Sequence, residues 1–249
     1  MPKTSPRFFA VEEEVVDPAF SARYEEGIKL LIKAMHQTEC GSTGNWSAGK
    51  HNQSYFYVFP VESLNDLDPE TGLIQRRFRN LMQNPGSKLQ QFAPLTVPAV
   101  ISARLFLLER LEGLSYEPAT PFVREPAYAF VDVHRVRADM HDQYETLVDR
   151  LIGAMRRVEY PFAWSAFRTI IGDGRTFYGP PRTYHYVVLF DDMWQFFKQH
   201  WFGAALEKAL GADGAQQYSA TEKKCLQGFE NFTCTIRSDL SYQAPQNHS

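Results

Sequence analysis

The chain has 249 residues, of which 44% are hydrophobic and 22% charged, and its 26 Lys+Arg against 29 Asp+Glu leave a net charge of −3. Such values exclude a disordered or collagen-like chain, and the balance lacks the basic excess of a nucleic-acid binder. At ~150 residues per domain the length allows one large domain or two small ones.

Residues 7–16 read as a strand, Arg-Phe-Phe-Ala-Val-Glu-Glu-Glu-Val-Val. Asp17-Pro18 then opens a helix, with Asp as cap and Pro in the first turn. Phe20, Tyr24, Ile28, Leu31 and Met35 recur every three to four residues, the apolar stripe of a helix packed on a sheet. A Gly/Asn stretch over 41–45 leads into a short strand at Trp46, and after a turn a strand runs over 55–59. Helices are predicted over 63–83 and 87–99, and a last strand over 101–112. The stretch 117–126 carries three prolines and suits an extended linker.

The same order then returns. With an offset of 120, residues 10–39 fall on 130–159, and nine pairs are identical, among them Tyr24/Tyr144, Glu25/Glu145 and Met35/Met155. Chance predicts roughly two. Trp46-Ser47-Ala48 returns as Trp164-Ser165-Ala166, and Leu114-Ser115-Tyr116 as Leu240-Ser241-Tyr242. The second hairpin is longer and holds the turn signals Gly172-Asp-Gly174 and Gly179-Pro-Pro181. The second copy is expected as strand 127–136, a helix carrying Met140, Tyr144, Val148, Leu151 and Met155, strands at Trp164 and Tyr184, helices 191–210 and 214–228, and strand 229–238. The division is therefore a first repeat over 1–116, a linker over 117–126, a second repeat over 127–242 and a polar tail over 243–249.

Each copy reads β-α-β-β-α-β, the ferredoxin-like unit, with an expected strand order of 4-1-3-2 and helices on one face. The other face of such a sheet needs a partner. The fold class is thus α+β, two tandem ferredoxin-like repeats with their antiparallel sheets packed face to face as a pseudo-dimeric α/β barrel. In this element order and duplication the chain resembles the dimeric α/β-barrel superfamily, which includes the antibiotic-biosynthesis monooxygenases and the NIPSNAP-type proteins. The resemblance implies a small, aromatic molecule as ligand and chemistry without a cofactor. The 14% aromatic content fits a barrel interior first and a ligand pocket second.

Several residues could carry chemistry. Asp132, His134 and Val136 share one face of the strand 127–136, and His185 lies mid-strand next door. His134 and His185 are expected to approach each other inside the barrel, with Asp132 orienting one of them as a general base. The first copy has Glu12, Glu14 and Phe56 at the matching places. Trp46, Tyr57, Trp164 and Tyr186 are candidates for ligand contact, since monooxygenases of the resembled superfamily use Asn, Trp and Tyr around a pocket. Arg168, on the strand face of Trp164, could hold an anionic ligand. The superfamily also includes haem proteins of the chlorite-dismutase type, for which His200 is the comparable residue. Each of these positions has a structural alternative: satisfied strand residues, aromatic core, or a solvated arginine.

Cys40, Cys225 and Cys234 form no C-x-x-C, so reduced, partly buried thiols are expected rather than disulfides or a zinc site. The first residues lack the apolar core of a secretory signal, and no apolar run reaches the ~18 residues that span a bilayer. A cytoplasmic protein with no membrane or nucleic-acid partner, no metal and no cofactor is expected. Edge strands of such sheets need cover, which leaves homo-oligomerisation open. Two functional readings stand: a cofactor-independent enzyme on a small aromatic molecule (monooxygenase, cyclase or isomerase), or a non-catalytic binding or structural barrel.

Overall fold

A computed structural model describes residues 6–37, 45–67, 88–119, 125–171, 182–199 and 201–243. The expected turn at 172–181, His200, Cys40 and most of the helix 63–83 lie outside the described residues. The first repeat runs β1 (Phe8–Val16), helix Ser21–Gln37, β2 (Ser47–His51), β3 (Ser54–Val61), helix Phe92–Thr96 and β4 (Val100–Arg110). The second runs β5 (Tyr128–Val136), helix His141–Arg157, β6 (Trp164–Ile171), β7 (Arg182–Phe190), helix Phe202–Cys225 and β8 (Leu226–Ile236). The strand orders are β4-β1-β3-β2 and β8-β5-β7-β6, the 4-1-3-2 order expected of each copy. The fold class is α+β, two tandem ferredoxin-like repeats of the pseudo-dimeric α/β-barrel class.

Local sequence explains the helix starts and one departure. The Asp17 side chain accepts from the Ala19 N–H at 2.9 Å and caps a short 3-10 turn, Pro18–Phe20, before the helix begins at Ser21. Two helices are expected over 191–210 and 214–228; after a π-helical turn (Gln195–Gln199), the stretch Phe202–Cys225 is two helices that meet at a kink at Gly211. Gly211, at φ +73, makes that kink, a backbone state open to glycine. β8 then starts at Leu226, three residues before the expected strand.

The chain folds as two units whose borders are not those of the sequence repeats. One holds Met1–Leu108 with Ile236–Ser249, and the other Glu109–Thr235. Each repeat's closing tail is thus a part of the unit built by the other repeat. In the first unit the Trp46 indole N–H donates to the Leu240 carbonyl at 2.9 Å, and Trp46 and Tyr242 exchange two backbone hydrogen bonds of 3.0 Å. The Ser241 hydroxyl oxygen accepts from the Ala48 N–H at 2.9 Å. The second unit repeats the arrangement residue for residue. Trp164 donates to the Leu114 carbonyl at 2.9 Å, pairs its backbone with Tyr116, and Ser115 accepts from Ala166 at 2.9 Å. The two Trp-Ser-Ala motifs and the two Leu-Ser-Tyr motifs are the halves of one clasp, made twice.

Each unit has its own apolar layer between sheet and helix. In the second, Tyr144, Leu147, Val148, Leu151, Ile152 and Met155 form a buried stripe against Trp164, Ala166, Tyr184 and Phe190. In the first, Tyr24, Ile28, Leu31 and Met35 pack against Trp46, Ala48, Tyr55 and Tyr57. Side chains of these sizes bury most of the area that holds a domain of this kind together, at about 25 cal/mol per Å².

Candidate functional site

Strand register decides which residues meet. In the β5–β7 ladder His134 stands opposite Tyr184, Asp132 opposite Tyr186, and Val133 opposite His185. Opposite residues share a face and neighbours along a strand do not. Asp132, His134, Tyr184 and Tyr186 therefore lie on the face covered by helices, and His185 lies on the other. The expected approach of His134 to His185 does not occur. The His185 ring nitrogen Nε2 instead sits 2.7 Å from the Thr169 hydroxyl.

On the helix-covered face the residues form a continuous polar chain inside an apolar layer. His134 Nε2 lies 3.1 Å from Asp132 Oδ2. His134 Nδ1 lies 2.7 Å from the Tyr144 hydroxyl, which donates to the Tyr186 hydroxyl at 3.0 Å. With Tyr144 donating onward, the ring's Nδ1–H is the donor to Tyr144. Nε2 is then the nitrogen that faces the Asp132 carboxylate and exchanges a proton with it. The rings of Tyr144 and Tyr186 meet His134 edge-on, 5.9 and 5.4 Å between centroids. His134 is buried, whereas 30% of the Asp132 side chain stays exposed, so the chain is nearest solvent at Asp132.

The helix Phe202–Cys225 brings a second polar pair, which the sequence did not single out, within electrostatic reach of this chain. Tyr218 is buried and its hydroxyl faces Glu222 Oε1 at 3.5 Å. Burial pushes Glu222 above the usual carboxylate range, His134 pulls it back and the Asp132 charge pushes it further up. Burial likewise holds Tyr144, Tyr186 and Tyr218 far above the ordinary tyrosine range, so all three remain neutral hydroxyls. Tyr144 was legible as a repeat match to Tyr24, but its hydroxyl partner was not. Glu222 carries no local signal at all.

The first repeat builds the same frame with different chemistry. The Tyr24 hydroxyl donates to Glu14 Oε2 and lies 2.8 Å from the Tyr57 hydroxyl. Burial, and then the neighbouring Glu14, push Glu12 up to about 7. Burial raises Glu14 as well, while the Tyr24 hydroxyl pulls it down. This frame holds carboxylates but no imidazole, a ring that can take a proton on one nitrogen and release it from the other.

The other expected contact residues have structural partners. Trp46 and Trp164 hold the tails, as described above. Tyr57 belongs to the first repeat's frame and Tyr186 to the chain of the second. Arg168 Nη2 makes an ion pair of 2.6 Å with the buried Glu109. Among the described residues no group of three or more His, Cys, Asp or Glu is placed to hold a metal ion. Among them, too, no helix is long and apolar enough to cross a membrane.

No protein-family model matches this chain. No curated protein matches it. Solved structures do. An anthrone oxidase-like protein is similar at a TM-score of 0.57 and 13% identity, over 97% of this chain and 95% of its own. A chlorite dismutase variant from Candidatus Nitrospira defluvii is similar at 0.54 and 10% identity, over 95% and 93%. A candidate monooxygenase from Lactobacillus acidophilus NCFM gives 0.52 and 8%, over 96% and 97%. At such identities the likeness is one of fold, and fold alone does not carry function.

Proposed function

From a chain with the tandem dimeric α/β-barrel fold, we propose a cofactor-independent enzyme that acts on a small aromatic molecule, with the Asp132–His134 pair as its general base. The observation that carries this reading is the placement of His134. Its ring is fixed between the carboxylate of a partly exposed aspartate at 3.1 Å and a buried tyrosine hydroxyl at 2.7 Å. A proton taken from an acidic O–H or activated C–H at the Asp132 end has an imidazole directly behind it. The Tyr144 hydroxyl, itself bonded to Tyr186, orients that imidazole. Acid–base groups held in this way contribute about 10²–10⁴-fold to a proton-transfer step. The aromatic wall is present beside them: Phe130, two residues before Asp132 on the same face, packs on Phe196 and Phe197 with centroids 5.6 and 5.8 Å apart. The fold's neighbours include a candidate monooxygenase and an anthrone oxidase-like protein, which favours oxygenation as the reaction type.

The test is oxygen uptake and product formation with a panel of hydroxylated polycyclic aromatics, anthrone among them, for the wild type, His134→Gln and Asp132→Asn. Turnover that falls about 100-fold or more in both variants, with the fold intact by circular dichroism, is the expected result. Full turnover in both variants overturns the assignment. Tight binding without turnover by the wild type gives the non-catalytic reading instead.

A further inference from the structure

We infer that Trp201 is a substrate-contact residue, the outer end of an aromatic strip (Trp201, Phe197, Phe130) that seats a flat, fused-ring molecule with a hydroxyl group at Asp132. This rests on the reading of Asp132 and His134 as the reacting end. Single exposed apolar side chains are common on protein surfaces, but this one is built into position. Trp201 is 52% exposed. Its carbonyl accepts from the Ala204 and Ala205 N–H groups at 3.1 and 3.3 Å, which ties it to the start of the helix that begins at Phe202. Its ring lies 6.3 Å from the Phe197 ring, centroid to centroid, at 31°. Gly203 makes the room for the indole, since a Cβ there would lie 2.9 Å from Trp201 Nε1.

From Trp201 the rings lead to the acid–base pair. Phe197 meets Phe130 edge-on, with centroids 5.8 Å apart at 82°. Phe130 lies two residues before Asp132 on the same strand face, about 6–7 Å along the strand. Accessibility is graded along this line. Phe196, which packs on Phe130 and Phe197 and stacks on Phe190 at 4.3 Å, is buried. Phe130 and Phe197 are half-buried, and Trp201 and Asp132 are its open ends. Consecutive Phe196 and Phe197 both reach Phe130 from a π-helical turn (Gln195–Gln199), a rare turn that recurs at functional sites. A single ring would touch one of these residues, whereas a fused system touches several in turn. Edge-on and offset contacts of this kind are the ones aromatic rings favour. The ligand class follows: flat and fused-ring along the strip, with an O–H where the Asp132 carboxylate accepts it.

The experiment is equilibrium binding of a dihydroxyanthraquinone to the full chain, followed by titration calorimetry and by tryptophan emission, with Trp201→Phe, Trp201→Ala and Gly203→Ala. Subtracting the Trp201→Phe spectrum from that of the wild type isolates the Trp201 emission, which the probe should quench. Trp201→Ala should weaken binding about tenfold or more. Gly203→Ala keeps the indole but displaces it, and should weaken binding about threefold or more. Should Trp201→Ala lose its fold by circular dichroism, the emission and Gly203→Ala decide the matter. Unchanged Trp201 emission at saturating probe overturns the inference, as does wild-type affinity in both alanine variants or a wild type that does not bind the probe. If binding behaves as expected but His134→Gln and Asp132→Asn keep full turnover, it is the acid–base reading that fails.

Discussion

His134 and His185 sit on neighbouring strands and on opposite faces of the same sheet, because His134 stands opposite Tyr184 and His185 opposite Val133. The two imidazoles therefore belong to different environments, one bonded to Asp132 and Tyr144, the other to Thr169. Substituting them should give unequal results. His134→Gln should abolish most of the proposed turnover, by about 100-fold or more. His185→Gln should change it by less than about threefold. Equal losses in steady-state assays of the two variants would place the reaction elsewhere in the fold.

The doubled clasp predicts a stability effect at each tryptophan. Trp46→Phe and Trp164→Phe keep most of the ring but remove the N–H that satisfies the Leu240 or Leu114 carbonyl. Leaving a buried carbonyl unpaired should cost about 1–3 kcal/mol in each variant, read from urea unfolding. Stopping the chain after Ile236 removes the Arg237–Glu25 ion pair, the Ser241 hydroxyl and Tyr242 together. It should cost more than Trp46→Phe, and an unchanged midpoint would show that the tail does not hold the unit.

Gly27 marks a close approach of the helix Ser21–Gln37 to the helix Phe92–Thr96. A Cβ there would lie 2.6 Å from Thr96 Cγ2 and 3.1 Å from Leu95 Cβ. Gly27→Ala would ordinarily favour a helix by about 1 kcal/mol. Here the overlap should outweigh that gain and destabilise by about 1–3 kcal/mol. Thermal unfolding of Gly27→Ala, alone and with Thr96→Ser, checks the cause, since removing the Thr96 methyl should restore most of the loss.

Two carboxylates of the first unit should shape the pH dependence in opposite senses. The Arg237 guanidinium, with Tyr55 and Lys50, holds Glu25 down to about 2. Its folded value lies below its unfolded value of ~4.3, so its stabilisation is present above that pH and is lost as pH falls towards 2. Arg237→Gln should lower stability at pH 7, and the gap to wild type should shrink towards pH 2. Glu12, pushed up to about 7 by burial and by Glu14, works the other way. The folded state holds its proton more tightly than the unfolded one, so stability declines as pH rises from ~4.3 to about 7. Glu12→Gln should therefore stabilise at pH 8, on the order of 1 kcal/mol, and make little difference at pH 4. Denaturant midpoints at three pH values test both variants.

Much of this molecule was legible as a sequence. The duplication appears as identities at a fixed offset, and Tyr24/Tyr144 with Glu25/Glu145 already mark equivalent places in two units. Apolar residues at a spacing of three and four gave both long helices their buried stripes, and period-two alternation placed Asp132 and His134 on one face. These features depend on neighbours along the chain. The chain's own geometry enforces them, whatever it packs against.

The tertiary structure decided what meets across elements. Alternation within β5 and within β7 cannot say how the two ladders align, and a slip of one residue turns every side chain of a strand to the other face. That is why His185 could be placed on the neighbouring strand but not on its face. The same holds for the tails, whose Leu-Ser-Tyr motifs repeat in the sequence without showing which Trp-Ser-Ala motif they clasp. Tyr144 and Tyr186, 42 residues apart, are brought into a hydrogen bond only by the packing of the helix on the sheet. Composition and spacing thus settled two α+β repeats rich in aromatic residues. Register and helix packing settled where, among those aromatics, a hydrogen-bonded polar chain is assembled, because contacts between distant segments leave no local pattern.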